Sequence, residues 1–187
     1  MADTTARQQR SDERRRSILD AARERADADG WSAVTTRHLA DAIGYTQPVL
    51  YGHFPGGKNE IMLTVALEGF VEFTDHCRSA VGRKTGRRAV EAIATAYLEF
   101  ATAHPAVYEA MFQLPIDTRF ASDDTVSELR DAFDVLAQTL GDTGGAQTEV
   151  FWGALHGMGQ LELAGRMRPE HRAQRIRELG ARFGGTP

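Results

Sequence analysis

Between Thr35 and Lys58 the chain reads Thr-Thr-Arg-His-Leu-Ala-Asp-Ala-Ile-Gly-Tyr-Thr-Gln-Pro-Val-Leu-Tyr-Gly-His-Phe-Pro-Gly-Gly-Lys, and no other stretch limits the fold as much. Leu39, Ala40 and Ile43 fall at i, i+1 and i+4, which gathers them on one face of a short helix. Val49, Leu50 and Phe54 do much the same on a second, with Thr46 as its expected N-cap and Pro48 in its first turn. Gly44-Tyr45-Thr46 leaves room only for a tight turn between them. Two short amphipathic helices hinged by a glycine-containing turn make a helix-turn-helix. Helices this short are not stable alone, so the rest of the chain has to supply their packing.

That remainder also reads as helix. From Ser11, the expected cap, a helix runs to about Asp29 with Ile18, Leu19, Ala22 and Ala26 on one side and Gly30 as its stop. After the Pro55-Gly56-Gly57 break a long helix from Lys58 to Ala80 carries Ile61, Val65, Leu67, Phe70, Val71 and Phe73. Another holds Val90, Ile93, Ala94, Tyr97, Leu98 and Ala101 and ends at His104-Pro105; Pro105 opens a short helix that Leu114-Pro115 closes. A helix from Ser122-Asp123-Asp124 to Leu140 turns Val126, Leu129, Phe133 and Leu136 inward. Beyond the Gly141–Gly145 loop come a glycine-containing helix around Trp152 and a last one opened by Pro169. No strand pattern or internal repeat emerges. The expected class is all-α, a three-helix N-terminal head joined to a helical bundle, about nine helices in all. Residues 1–11 read as a disordered polar arm, 12–57 as the helix-turn-helix domain and 58–187 as a ligand-binding and dimerisation domain.

Composition narrows the function classes. The 187 residues suffice for a real core, and no apolar run approaches the ~18 residues of a membrane helix. The N-terminus lacks an apolar signal core, which points to the cytoplasm. Cys77 is the only cysteine, so no intrachain disulfide or cysteine-based zinc site is expected, and nothing implies a cofactor. A net charge of −4 argues against nonspecific coating of nucleic acid but permits a basic docking face. Seven arginines against five acids lie before residue 26, a weak basic excess near the N-terminus.

In a helix-turn-helix the second helix enters the major groove and presents side chains near its N-terminus to base edges, while flanking groups hold phosphates. With Leu50 and Phe54 inward, the exposed positions are Gln47, Pro48, Tyr51 and Gly52. Gln47 can bond adenine N6 and N7, Pro48 can touch a thymine methyl, and Arg37 can reach a guanine edge or a phosphate. Thr36, Tyr51, His53 and Lys58 are donors for phosphate oxygens, as is the N-terminus of the helix at Lys58.

The residues from about 14 to 65 resemble the DNA-binding head of the TetR family of transcriptional regulators. The matching pieces are Thr35-Thr36-Arg37, Leu39-Ala40, Ile43-Gly44, Gln47-Pro48, Leu50-Tyr51 and His53-Phe54. The resemblance implies that Arg37, Gln47 and Pro48 read bases of a double-stranded operator, while Thr36, Tyr51, His53 and Lys58 grip its backbone beside Thr46. Gly52 stands where a bulky residue is common, and Gly56-Gly57 adds a residue before Lys58. The later part resembles one branch of the family whose eighth helix carries a Trp…His-Gly signature, here Phe151-Trp152-Gly153-Ala154-Leu155-His156-Gly157-Met158. His104-Pro105-Ala106-Val107-Tyr108 and Met111-Phe112 fit the same branch.

Helical bundles build ligand cavities from facing aromatic residues. The candidates for an apolar or aromatic small-molecule effector are Phe70, Phe73, Tyr97, Tyr108, Met111, Phe112, Phe133, Trp152 and His156, and most are equally at home in a plain core. Glycines inside the Trp152 helix each cost about 1 kcal/mol relative to alanine, which close helix approach at a subunit interface would offset. The expected homodimer seam is Phe151, Leu155, Gly159 and Leu163 with Ile176, Leu179 and Phe183 opposite. The expected function is that of a ligand-responsive repressor, dimeric on a palindromic operator. A helical small-molecule-binding protein whose head does not bind DNA is the alternative. Catalysis is disfavoured, since no nucleotide-binding glycine fingerprint, His-Glu-x-x-His or nucleophile elbow occurs.

Overall fold

The computed structural model describes residues 2–112 and 127–185. Among them are nine α-helices and no strand: α1 (Ala2–Asp29), α2 (Thr36–Ala42), α3 (Gln47–His53), α4 (Gly57–Val81), α5 (Gly86–Ala103), α6 (Pro105–Phe112), α7 (Ser127–Leu140), α8 (Ala146–Leu163) and α9 (Arg172–Phe183). The expected stop at Leu114-Pro115, the start at Ser122-Asp123-Asp124 and the inward Val126 lie outside the described residues. No helix among those described is long and apolar enough to cross a membrane.

Two compact units emerge. The first comprises the chain up to Ala66 together with the segment opening at Ala106, and the second runs from Leu67 to Pro105 and then takes in α7, α8 and α9. Helix α6, placed by sequence in the later domain, therefore clusters with the head. The reason is two long-range bonds. The Trp31 indole Nε1 donates to the Ala106 carbonyl at 2.7 Å, and the Ala106 amide donates to Asp27 Oδ1 at 3.2 Å. That amide belongs to the first turn of α6, where the helix itself offers no acceptor.

Helix α1 reaches back to Ala2, through the residues expected as an arm, so Ser11 lies inside it and caps nothing. Neither glycine nor proline interrupts Ala2–Asp29, and Gln8 Nε2 bonds Asp12 Oδ1 at 3.0 Å one turn on. Ile18, Leu19, Ala22 and Ala26 are buried, as the spacing requires. In the second unit α5 is central and packs against α7, α8 and α9. The ring of Phe73 meets those of Tyr97 and Phe100 edge-on, with centroids 5.2 and 5.5 Å apart. Val71 of α4 is 47% exposed, because at 100° per residue it cannot share a face with both Phe70 and Phe73. Pro169 opens a 3₁₀ turn to His171, and α9 proper starts at Arg172.

Helices α5 and α9 approach closely because α9 carries glycine at the crossing. A Cβ on Gly184 would lie 2.5 Å from Arg87 Cα, and one on Gly180 would lie 2.5 Å from Glu91 Cγ. Burial of Cys77 in α4 pushes its thiol pKa up to about 12, which leaves it unreactive.

Candidate nucleic-acid interface

The helix-turn-helix forms where the sequence placed it. Thr35 caps α2 by accepting the His38 amide on its hydroxyl at 3.1 Å. Gly44, at φ +71°, ends the helix in the left-handed region, and the Tyr45 amide turns back to the Ala40 carbonyl at 2.9 Å. Thr46 occupies the N-cap position of α3, but its side chain makes no capping bond. Its carbonyl instead receives the Val49 and Leu50 amides, and Pro48 in the first turn lacks an N–H to satisfy. Leu50 and Phe54 are fully buried.

Burying that face leaves the other in solvent. Thr46, Gln47, Pro48 and Tyr51 are exposed, as is Arg37 in the first turn of α2. Thr36 Oγ1 and the Tyr51 hydroxyl lie 3.4 Å apart, so one anionic oxygen can accept from both. The start of α4 adjoins them, since a Cβ on Gly57 would fall 3.2 Å from Tyr51 Cε1 and 3.6 Å from Thr36 Cγ2. Glu60 Oε2 accepts the Gly56 amide at 2.8 Å and fixes that helix start. Two hydroxyls beside a helix N-terminus suit a phosphate. His53 is half-buried. The Lys58 ammonium donates to the Trp31 carbonyl and braces the head from within.

The effector candidates divide between the two units. Tyr108, Met111 and Phe112 lie with the head, where the Tyr108 and Phe112 rings are 4.8 Å apart. Phe70, Phe73, Tyr97, Phe133, Trp152 and His156 lie in the second unit. There the Trp152 indole donates to the Tyr97 hydroxyl at 3.2 Å, and burial lowers the pKa of His156 one turn along α8. Phe73, Tyr97 and Tyr108 are fully packed. A cleft of about 610 Å³ opens elsewhere in this unit, among Val81, Lys84, Ala89, Val135, Leu140 and Phe183.

The expected dimer seam also needs revision. Phe151, Leu155, Gly159 and Leu179 are buried within the single chain, and the Phe183 ring sits 5.0 Å from that of Phe151. They fill the bundle because α8 is apolar on two faces and spacing alone does not say which turns inward. Ile176 is half-buried and Leu163 is exposed. The outward stripe of α8 is Val150, Gly153, Gly157 and Leu161; a Cβ on either glycine meets nothing within 4 Å.

Several structural residues carried no single-residue signal. Trp31 and Asp27 bind α6 through contacts of long sequence separation. Arg15 lies in phase with the apolar stripe Ile18–Leu19–Ala22, a hint that its side chain points inward. Asp142, within the Gly141–Gly145 loop, caps α8 from outside: its carboxylate accepts the Thr148 hydroxyl and amide at 2.8 and 2.9 Å and the Gly144 and Gly145 amides. Those bonds, Thr148's first, hold its pKa at about 2. Glu162 closes the other end of α8 through Arg175 at 2.6 Å and Arg172 at 3.3 Å.

Comparison with known proteins agrees with this fold. Residues 18–65 match the family model of bacterial regulatory proteins of the tetR family. Residues 90–183, half of the chain, match the tetracyclin repressor-like C-terminal domain. The uncharacterized HTH-type transcriptional regulator YobS of Bacillus subtilis is 32% identical over 111 residues, a match spanning 58% of this chain and 58% of that protein. The uncharacterized HTH-type transcriptional regulator Rv0681 of Mycobacterium tuberculosis is 28% identical over 161 residues, 82% of this chain and 72% of that protein. A crystal structure of a tetR-family regulatory protein from Rhodococcus RHA1 shares the fold with a TM-score of 0.68 at 18% identity, covering 93% of this chain and 98% of its own. With both halves matched in order, the chain belongs to the TetR family of transcriptional regulators.

Proposed function

We propose that this protein is a repressor that binds a palindromic double-stranded operator as a homodimer and releases it when an apolar or aromatic effector enters the helical body. The observation that carries the DNA reading is the exposed face of α3, Gln47, Pro48 and Tyr51, set beside the Thr36–Tyr51 hydroxyl pair at the start of α4. Base-reading and phosphate-holding groups thus share one surface, as groove docking demands. One head reads too few base pairs to discriminate a genomic site, which favours a two-fold dimer. The outward stripe Val150–Gly153–Gly157–Leu161 on α8 is the seam we assign to it, because glycines let two helices approach closely. For the effector, the support is α4 itself. This one helix carries Lys58 at its start and Phe70 and Phe73 further on, so a ligand that tilts it alters the head. A coupling of about 1–3 kcal/mol would weaken operator binding roughly 5- to 150-fold.

The deciding experiment is quantitative binding to DNA upstream of the protein's own gene, with scrambled DNA as the reference. Gln47→Ala should weaken operator binding by about 1–3 kcal/mol and relax preference at one base step. Tyr51→Phe should weaken operator and scrambled DNA alike, because phosphate contacts carry no sequence information. Unchanged affinity in both variants would refute the assigned reading face.

A further inference from the structure

We propose that the adjacent arginines Arg14 and Arg15 of α1 are positioning residues that clamp the two ends of α3 and set the angle at which it meets DNA, rather than phosphate contacts. The inference rests on the DNA-reading role proposed above. Arg15 reaches the C-terminal end of α3, where its Nη1 donates to the His53 carbonyl at 3.0 Å and its guanidinium lies 4.2 Å from the centroid of the buried Phe54 ring. His53 is the last residue of α3, so its carbonyl has no acceptor role within the helix, and a cation there also complements the helix dipole. Arg14 reaches the other end. Its guanidinium lies 5.5 Å from the centroid of Tyr45, which immediately precedes the α3 N-cap Thr46.

Seven residues span only about 10 Å and do not hold a helix direction unaided. The side of α3 that faces inward offers Leu50 and Phe54, apolar groups that resist separation but tolerate sliding. A hydrogen bond at one end and a ring contact at the other add direction. Both arginines are half-buried, and Arg15 falls in register with Ile18, Leu19 and Ala22 on the buried side of α1. Groups spent in this way are poorly placed to neutralise phosphates. Direction matters most for Gln47, whose paired bonds to a base weaken steeply with misalignment, whereas a phosphate contact survives a small tilt.

The two roles separate in a salt titration. Arg15→Met and Arg14→Met keep the aliphatic stem and remove the charge. As positioning residues, each variant should lose operator affinity about tenfold or more, with scrambled-DNA affinity and its salt slope nearly unchanged, so that the specificity ratio collapses. As phosphate contacts, each would weaken both DNAs equally and reduce the slope of log K against log salt by about 0.9, which would overturn the proposal. A second measurement needs no DNA. In the free protein, amide hydrogen exchange at Leu50–Phe54 should rise about tenfold in Arg15→Met while α5 amides keep their protection. Unchanged exchange in α3 would refute the clamp even if operator binding had already failed for other reasons, and a loss of protection across the whole chain would show Arg15 to be a general stability residue, equally against it.

Discussion

The head is joined by polar bonds that cross long stretches of sequence and end on backbone atoms: Trp31 on the Ala106 carbonyl, Lys58 on the Trp31 carbonyl, Asp27 on the Ala106 amide and Arg15 on the His53 carbonyl. The second unit uses another chemistry. Its centre is a cluster of rings, Phe73 against Tyr97 and Phe100, and its α5–α9 crossing is built on Gly180 and Gly184. Directional bonds fix the aim of a small reading surface at little cost in bulk. Ring and glycine packing instead fixes the volume of the core and the spacing of its helices. The difference predicts that the two units fail in different ways.

Trp31→Ala should have the largest effect. It removes a buried ring together with its hydrogen bond to the Ala106 carbonyl, so a loss of about 3–5 kcal/mol is expected. Because Trp31 ties α6 to the head, the loss should begin there. Hydrogen exchange should show α2, α3 and α6 opening before α5 and α8. Simultaneous opening of all helices would break the contrast between the units.

Gly184→Ala tests the other chemistry. The new methyl meets Arg87 Cα at 2.5 Å and the Gly180 carbonyl at 2.5 Å, backbone atoms that cannot step aside. Separating α5 from α9 should cost about 1–3 kcal/mol in chemical denaturation, with the head's exchange pattern unchanged. A neutral result would show the crossing to be compliant.

The same contrast explains what could be read in the sequence. The helix-turn-helix was legible because its signals are local: the Leu39–Ile43 face, Gly44 as the turn and Leu50–Phe54 inward all lie within a few residues of one another. Helix α5 was legible for the same reason, since its apolar positions keep one period to His104-Pro105. The placement of α6 was not, because Trp31 and Ala106 are far apart in sequence and neither carries a local sign of the other. Nor was the choice of face on α8, where Phe151-Leu155-Gly159 and Val150-Gly153-Gly157-Leu161 are both apolar or small. Periodicity finds a stripe, and only the neighbouring helices decide which stripe is covered.

Gly153→Ala and Gly157→Ala sharpen that point with a smaller effect. In the single chain a methyl at either site meets nothing, so helix propensity alone predicts stabilisation of up to about 1 kcal/mol. If α8 pairs with α8 of a second copy through this stripe, the methyls push the helices apart and weaken the dimer. Sedimentation at graded concentration separates the outcomes. A raised dimer dissociation constant supports the assigned seam; an unchanged one, with higher melting temperature, moves the interface off this face.

The smallest effect belongs to Asp142, which is tied to α8 by hydrogen bonds near the surface. Its carboxyl titrates at about 2 in the fold against an ordinary value of 3.8. The unfolded chain therefore binds this proton first as pH falls, so the stabilisation is complete above the ordinary carboxylate pKa and disappears as pH drops through about 2. Asp142→Ala should lower the melting temperature of the second unit modestly at pH 7, and the gap from the native protein should narrow steadily between pH 4 and pH 2. Asp142→Asn keeps one acceptor oxygen and cannot titrate, so it should retain part of the stability while losing that pH dependence. A gap that stays constant down to pH 2 would mean that Asp142 holds α8 by shape rather than by charge, and the body would then rest on packing alone.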